Sequence, residues 1–243
     1  MARALIHLVE NGRVLLPKEE LHHLVRVRRL KAGDKFEALD VKEGKVYRCT
    51  LSKEGGIWHG LILDTLEVDA DPPLKITLAQ ALIKKDKFEW VIQKATELGV
   101  SEIIPILTCR TEIRLDEKRE QRKLQRWSKI VAEAVNQCGR SRLPILGSPV
   151  SLAALLEERT EGLWIVLDEA TDFPMRQLLA ECHSAENCIL LVGPEGGWDD
   201  RDREILSAEK AHSVSLGPRI MRAETASIAA LAVLQYELGD FNG

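Results

Sequence analysis

The sequence predicts an α/β protein with a mostly parallel sheet, preceded by a small β-rich domain. Three observations predict it. Short β-type segments punctuated by turns fill residues 1 to 70, a polar break follows at Asp69-Ala70-Asp71-Pro72-Pro73, and strands then alternate with helices from residue 74 to residue 243.

In the first region, Leu5–Val9, Phe36–Val41, Lys45–Leu51 and Ile57–Leu66 have β character. Asn11-Gly12, Ala32-Gly33-Asp34, Glu43-Gly44 and Gly55-Gly56 supply the turns between them. One helical stretch, Pro17 to Leu30, interrupts the strands, and the whole suits a small barrel. The N-terminus is basic for one residue and then apolar for too few, so it reads as an edge strand and not a secretion signal. The two prolines of the break make it a stiff linker.

Beyond the break, Leu74–Ile83 reads as a buried strand. Phe88, Val91, Ile92, Ala95 and Leu98 follow at helical spacing, with Gly99 placed as a C-terminal cap. Glu102–Leu107 is a second strand. Leu124, Trp127, Val131, Ala134, Val135 and Cys138 mark a long helix, with Asp116 as its cap. Leu163–Asp168, Cys188–Val192 and Val214–Leu216 are short apolar runs of the parallel-sheet kind. Thr225 to Leu238 is apolar on most sides and therefore reads as a buried helix, ended by Gly239. The division expected is 1–70 and 74–243.

Apolar residues make up 45 % and charged residues 30 % of the chain, and no apolar run reaches the ~18 residues of a membrane span. The five cysteines, Cys49, Cys109, Cys138, Cys182 and Cys188, show no C-x-x-C spacing, so neither zinc nor redox chemistry is indicated. Unclustered cysteines suit a reducing cytoplasm. The net charge of −4 argues against general nucleic-acid binding, but charge is local. Arg26, Arg28, Arg29 and Lys31 stand together without an acid, and ten basic residues against five acidic ones lie between Arg110 and Arg142. Such clusters are either solvated faces or grips for a polyanion.

Two segments carry candidate chemistry. In the first, the strand Cys188–Val192 runs straight into Gly193-Pro194-Glu195-Gly196-Gly197-Trp198. Ligands of open α/β sheets sit beyond the carboxyl ends of strands, where glycine lets the backbone come close. A purely conformational role for these glycines is equally open. Neither the phosphate-loop pattern nor the dinucleotide pattern is present. In the second, Ser215-Leu216-Gly217-Pro218-Arg219-Ile220-Met221-Arg222-Ala223-Glu224-Thr225-Ala226 sets two arginines and a glutamate before an apolar helix. Charge in that position is costly unless paired or used. A pair of Glu224 with Arg222 or Arg219, anchoring the loop, would explain it without any ligand.

Taken together, the two segments resemble the SPOUT superfamily of methyltransferases, and within it the RsmE branch, the 16S rRNA (uracil-N3)-methyltransferases. Lys87–Val100 is similar to that family's first catalytic-domain helix, Glu133–Arg140 to its E-A-x-x-Q segment, and His22–Asp34 to its H-x-x-V-L-R-L-x-x-G-D stretch. Small departures are Met221, where leucine is common, and Arg28 in the place of a leucine.

The resemblance implies an N-terminal PUA-like barrel and a catalytic domain closed by a deep trefoil knot, a rare feature. It implies S-adenosylmethionine as cofactor and no metal. The pocket would be formed by Leu167, Val192, Gly193, Pro194, Glu195, Gly196, Gly197, Leu216, Gly217, Arg219, Ile220, Met221, Arg222 and Thr225. Apolar Leu167, Leu216, Ile220 and Met221 would sandwich the adenine ring. Arg222, then Arg219, would stabilise negative charge on the uracil. Glu224 would accept a proton or orient Arg222, with Glu195 the other nearby carboxylate. Arg26, Arg28, Arg29, Lys31, Arg140 and Arg142 would grip RNA phosphates. The expected partners are 16S rRNA of the small ribosomal subunit and a second copy of the chain, with no membrane. Rival readings are a ribose 2′-O-methyltransferase of the same superfamily and a non-catalytic RNA-binding assembly factor, the latter expected to bind no cofactor.

Overall fold

The computed structural model describes residues 1–68, 70–113, 116–159, 161–208 and 211–241. The chain forms two compact units, Met1–Asp71 with Val135–Leu143, and Pro72–Ala134 with Pro144–Gly243. Asp69 of the expected linker and Arg114 of the second basic cluster lie outside the described residues. A contiguous division could not show that Val135–Leu143 groups with the first unit.

The first unit is a six-stranded sheet of β1 (Arg3–Ile6), β2 (Val9–Glu10), β3 (Arg13–Leu15), β4 (Lys35–Asp40), β5 (Lys45–Glu54) and β6 (Ile57–Leu66), in the order β1-β4-β5-β6-β3-β2. β1 pairs β4 in parallel and stands at an edge, and the other pairings are antiparallel. Ala4, Ile6, Val14, Leu24, Phe36, Ala38, Cys49 and Leu51 form its core. The strand β3 escapes sequence reading because only Val14 of its three residues is buried.

The stretch expected as one helix is α1 (Lys18–His22) followed by a π-helical turn, His23–Val27. The Arg28 amide donates to the His23 carbonyl at 2.8 Å, a five-residue step. The extra residue keeps Leu24 in the core and leaves Arg26, Val27, Arg28 and Arg29 exposed in sequence.

The second unit is a seven-stranded parallel sheet in the order β10-β8-β7-β12-β11-β13, with β9 also on β8. Along the chain come β7 (Lys75–Ala81), α2 (Lys85–Glu97), β8 (Glu102–Leu107), α3 (Glu117–Cys138), β9 (Ile145–Leu146), β10 (Val150–Ser151), α4 (Leu152–Glu158), β11 (Leu163–Leu167), α5 (Met175–Glu181), β12 (Asn187–Val192), α6 (Asp200–Ala208), β13 (His212–Val214) and α7 (Ala223–Glu237). Asp116 caps α3 through its carboxylate, which accepts the Arg119 amide at 2.8 Å. Phe88 and Trp127 pack α2 on α3 with ring centroids 4.7 Å apart.

Helices α4, α5 and α6 are too short to establish a helical period, so alternation alone hinted at them. The last strand was expected at Val214–Leu216. It ends instead at Val214, because Ser215 turns away to bridge Pro174, which releases Leu216 into a loop. The apolar α7 is buried through Ala223, Ser227, Ala230, Leu231, Leu234 and Gln235. Of its two buried polar residues, Ser227 is held by fixed partners, whereas Gln235 is held through its amide nitrogen and its Oε1 has no hydrogen-bond partner among the described residues. Ser227 bonds the Gln80 side chain and the Ala223 carbonyl, while the Gln235 Nε2 donates to the Leu98 carbonyl at 2.9 Å.

Candidate active site

Three strand ends stand level in the second unit. Leu167, the last residue of β11, is in register with Val192 on one side and Val214 on the other. The loops that follow therefore emerge side by side at the carboxyl edge of the sheet. Between them lies a cleft of about 760 Å³, within the usual range of small-ligand sites.

Of the residues expected to hold a cofactor, 167, 192–197, 216, 217 and 219–222 line this cleft, and Thr225 does not. Both glycine-bearing turns thus face one space. Lys87, Asp168, Glu169, Thr171, Asp172 and Trp198 also line it and were not anticipated as pocket residues.

The first turn is fixed by its neighbours. Trp198 is fully buried and its indole Nε1 donates to the Leu167 carbonyl at 2.8 Å. The same indole lies against Gly193, where a Cβ would come within 3.2 Å of the ring. Glycine is needed there for close approach. At Gly197 it is needed because φ is +68°. The Glu195 carboxylate accepts from the Lys84 amide at 3.3 Å, and Arg110 donates to the Gly196 carbonyl at 2.7 Å.

At the end of β11, Asp168 is 7 % exposed and accepts from Arg203 at 2.9 and 3.0 Å and from the Ala170 amide at 3.0 Å. Burial would raise its pKa, but the Arg203 guanidinium and the Ala170 amide together hold it below the ordinary carboxylate value. This charge belongs to the wall of the site and braces it.

The second turn is looser at its rim. Ser215 Oγ accepts from the Gly217 amide at 3.2 Å. Leu167 is buried and Leu216 and Met221 are half-buried, but Ile220 is 87 % exposed and stands at the mouth. The guanidinium groups of Arg219 and Arg222 are exposed and have no ion pair among the described residues.

The expected pairing of Glu224 with Arg222 or Arg219 is not formed. Glu224 Oε1 is instead 3.0 Å from the Lys87 Nζ of α2. Its side chain is 13 % exposed, its Oε2 is buried without a hydrogen-bond partner among the described residues, and it is not among the residues lining the cleft. Among the described residues the ion pair of Glu224 is therefore with Lys87 and not with Arg222. In the sequence Lys87 opens the segment Lys87–Val100 but is given no role in the site, since it is one of several lysines at the start of α2. Only the fold brings it to the first turn of α7.

In the first unit, Arg26, Arg28, Arg29, Lys31 and Arg142 are exposed. Arg140 is not. It is 5 % exposed, its Nε is 2.9 Å from Asp71 Oδ1, and its carbonyl accepts from Arg3 at 3.0 Å. A guanidinium so committed braces its domain, which corrects the reading of Arg140 as a phosphate contact. Among the described residues no group of His, Cys, Asp and Glu is placed to hold a metal ion. No helix among them is long and apolar enough to cross a membrane.

Comparison with known proteins places this geometry. Residues 70–235 match the model of an RNA methyltransferase domain, and residues 16–57 match that of an RNA methyltransferase PUA domain. Ribosomal RNA small subunit methyltransferase E of Synechocystis is 38 % identical over 224 residues, covering 90 % of this chain and 71 % of the relative. The Bacillus subtilis protein of the same name is 30 % identical, covering 90 % and 88 %. Among solved structures, a Legionella pneumophila methyltransferase in complex with S-adenosylmethionine superposes with a TM-score of 0.91 at 32 % identity, covering 99 % of each chain. Ribosomal RNA small subunit methyltransferase E of Neisseria gonorrhoeae, also bound to S-adenosylmethionine, gives 0.90 at 29 % identity and 99 % coverage of each.

Proposed function

Since the chain belongs to the RNA methyltransferase family of ribosomal RNA small subunit methyltransferase E, we propose that it methylates N3 of a uridine in 16S rRNA, with S-adenosylmethionine as methyl donor. The observation that carries this reading is the register of Leu167 with both Val192 and Val214, which opens the two glycine turns onto one cleft. The cleft fits the donor. It has room for it, an apolar floor at Leu167 and Val192, and bare backbone at Gly193. When bound, S-adenosylmethionine supplies an electrophilic methyl group on its sulfonium.

The chain's own residues then have three tasks. Backbone groups of 192–197 and 216–222 hold the donor, with Leu167, Leu216 and Met221 against its ring. Arg222, and secondarily Arg219, places positive charge toward O2 or O4 of the uracil as the N3 proton is lost. Arginine stays protonated and is no base. Holding the partners aligned lowers the barrier by several kcal/mol.

Exposed Arg26, Arg28, Arg29, Lys31 and Arg142 grip RNA phosphates. The target base swings out of its stack, because N3 lies on the pairing edge. The enzyme works in the cytoplasm, as a homodimer. Exposed apolar residues on α2 and α7, Trp90 at 42 % and Tyr236 at 59 %, support a second copy as partner. The knot is part of the same proposal. After β13 at the sheet edge, the chain returns to pack α7 on α2 and β12, two strands inward.

The test is Arg222→Ala with cofactor affinity and methyl transfer measured separately. Transfer should fall by roughly 10²- to 10³-fold while calorimetric cofactor affinity stays near wild type. Near-normal transfer would remove Arg222 from the chemistry. A wild-type protein that gives no binding heat with S-adenosylmethionine would be the non-catalytic assembly factor.

A further inference from the structure

We propose that Lys87 is a second cation on the uracil imide and that Glu224 is the positioning residue that holds it there. The proposal rests on the reading of the cleft as a uridine N3 site.

Lys87 lines the cleft from the first turn of α2, and its ammonium, with the side chain 31 % exposed, is 3.0 Å from Glu224 Oε1. Glu224 lies behind this wall, in the first turn of α7, where a negative charge is favoured by the helix end. Its Oε2 is buried and has no hydrogen-bond partner among the described residues. Arg222, two residues earlier, is the N-cap residue of α7 and lines the same cleft. One helix end thus gathers two cations, one carried by the chain and one drawn in from α2.

The imide needs two. Its N3–H lies between two carbonyl groups. When that bond breaks, the proton leaves to water in the open cleft, and the electron pair left on N3 spreads over both oxygens. One guanidinium can face one oxygen, and Lys87 takes the other. A cation within about 4–6 Å lowers the pKa of such a group by ~1–3 units, which raises its anionic fraction at neutral pH without a carboxylate base.

The other charged groups facing the cleft leave this role open. Asp168 is bound by Arg203 and Glu195 by the Lys84 amide. Glu169 and Asp172 follow β11, and Arg219 and Arg222 precede α7. Lys87 is the cation contributed by α2, and its one charged partner among the described residues is Glu224.

The experiment is the pH dependence of single-turnover methyl transfer to small ribosomal subunits for wild type, Lys87→Met, Lys87→Arg and Glu224→Gln. Calorimetry with S-adenosylmethionine alone accompanies it. Lys87→Met should lower transfer at pH 7 on the order of 10²-fold and move the rising limb of the profile upward by ~1 pH unit or more. Its cofactor affinity should stay within about threefold of wild type, which also shows that it folds. Lys87→Arg should restore the limb toward its wild-type position, and Glu224→Gln should lose less than Lys87→Met.

An unmoved limb in Lys87→Met overturns the proposal. So does a cofactor affinity that falls in step with transfer, or a Glu224→Gln loss exceeding that of Lys87→Met, which would make the carboxylate the base. If the wild-type product carries its methyl elsewhere than N3, the functional reading itself has failed. If the product is 3-methyluridine and the limb stays put, only the role of Lys87 has.

Discussion

The Trp198 indole donates to the Leu167 carbonyl across 2.8 Å, so one buried side chain ties the turn after β12 to the end of β11. Leu167 is the residue from which both cleft loops are levelled. Trp198→Phe keeps most of the packing and loses this bond. It should cost about 1–3 kcal/mol and weaken cofactor binding, whereas Trp198→Ala should cost about 3–5 kcal/mol. Denaturant midpoints and calorimetry check both.

The glycines of the first turn are not equivalent. A Cβ at Gly193 would meet the Trp198 ring at 3.2 Å, whereas at Gly196 its nearest neighbour is the Arg110 side chain at 3.6 Å, an ordinary contact. Gly193→Ala should therefore cost about 1–3 kcal/mol of overpacking and reduce cofactor affinity at least tenfold. Gly196→Ala should bind nearly as wild type. Equal losses at the two positions in a calorimetric titration would contradict this account of the turn.

The Asp168–Arg203 pair predicts an acid dependence. Asp168 titrates below its ordinary value of 3.8 in the folded state. A depressed carboxylate contributes stability that is fully present above the unfolded value and is lost as pH falls through the folded one. At pH 7 the contribution is complete, and Asp168→Asn should cost about 2 kcal/mol there. Between about pH 4 and lower values the wild type should lose this advantage and the two stabilities converge. Denaturation midpoints across that window read it directly.

Arg140 and its exposed neighbours should separate stability from RNA binding. Arg140→Ala removes the guanidinium from the half-buried Asp71, which among the described residues keeps only its bonds from Ser141, and should destabilise by about 3 kcal/mol. Arg142→Ala should stay within about 0.5 kcal/mol. Replacing Arg26 or Arg28 should weaken RNA binding and flatten its salt dependence by about one charge each, with melting unchanged. An Arg140→Ala protein of normal stability would return that residue to the list of phosphate contacts.

Much of this architecture was legible because its signals are local. The buried strands β7, β8, β11 and β12 read as apolar runs, α2 and α3 as helical periods, and the glycines at 193, 196, 197 and 217 as turns at strand ends. What stayed hidden is non-local. Lys87 meets Glu224 across 137 positions, and no spacing rule reaches that far. Arg140 reads as a basic residue beside Arg142 until Asp71, 69 positions earlier, closes on it. The π-helical turn at His23–Val27 has a helical composition, and its extra residue per turn leaves no compositional trace. Val214 ends its strand two residues early because Phe173 and Pro174 offer Ser215 another partner.

The central claim is settled by nucleoside analysis of small-subunit RNA after incubation of unmodified small ribosomal subunits with this protein and methyl-labelled S-adenosylmethionine. The label should elute as 3-methyluridine, in an amount that falls steeply with Arg222→Ala. Label found on a ribose 2′-oxygen, or subunits left unlabelled by a protein that binds the donor, would contradict it.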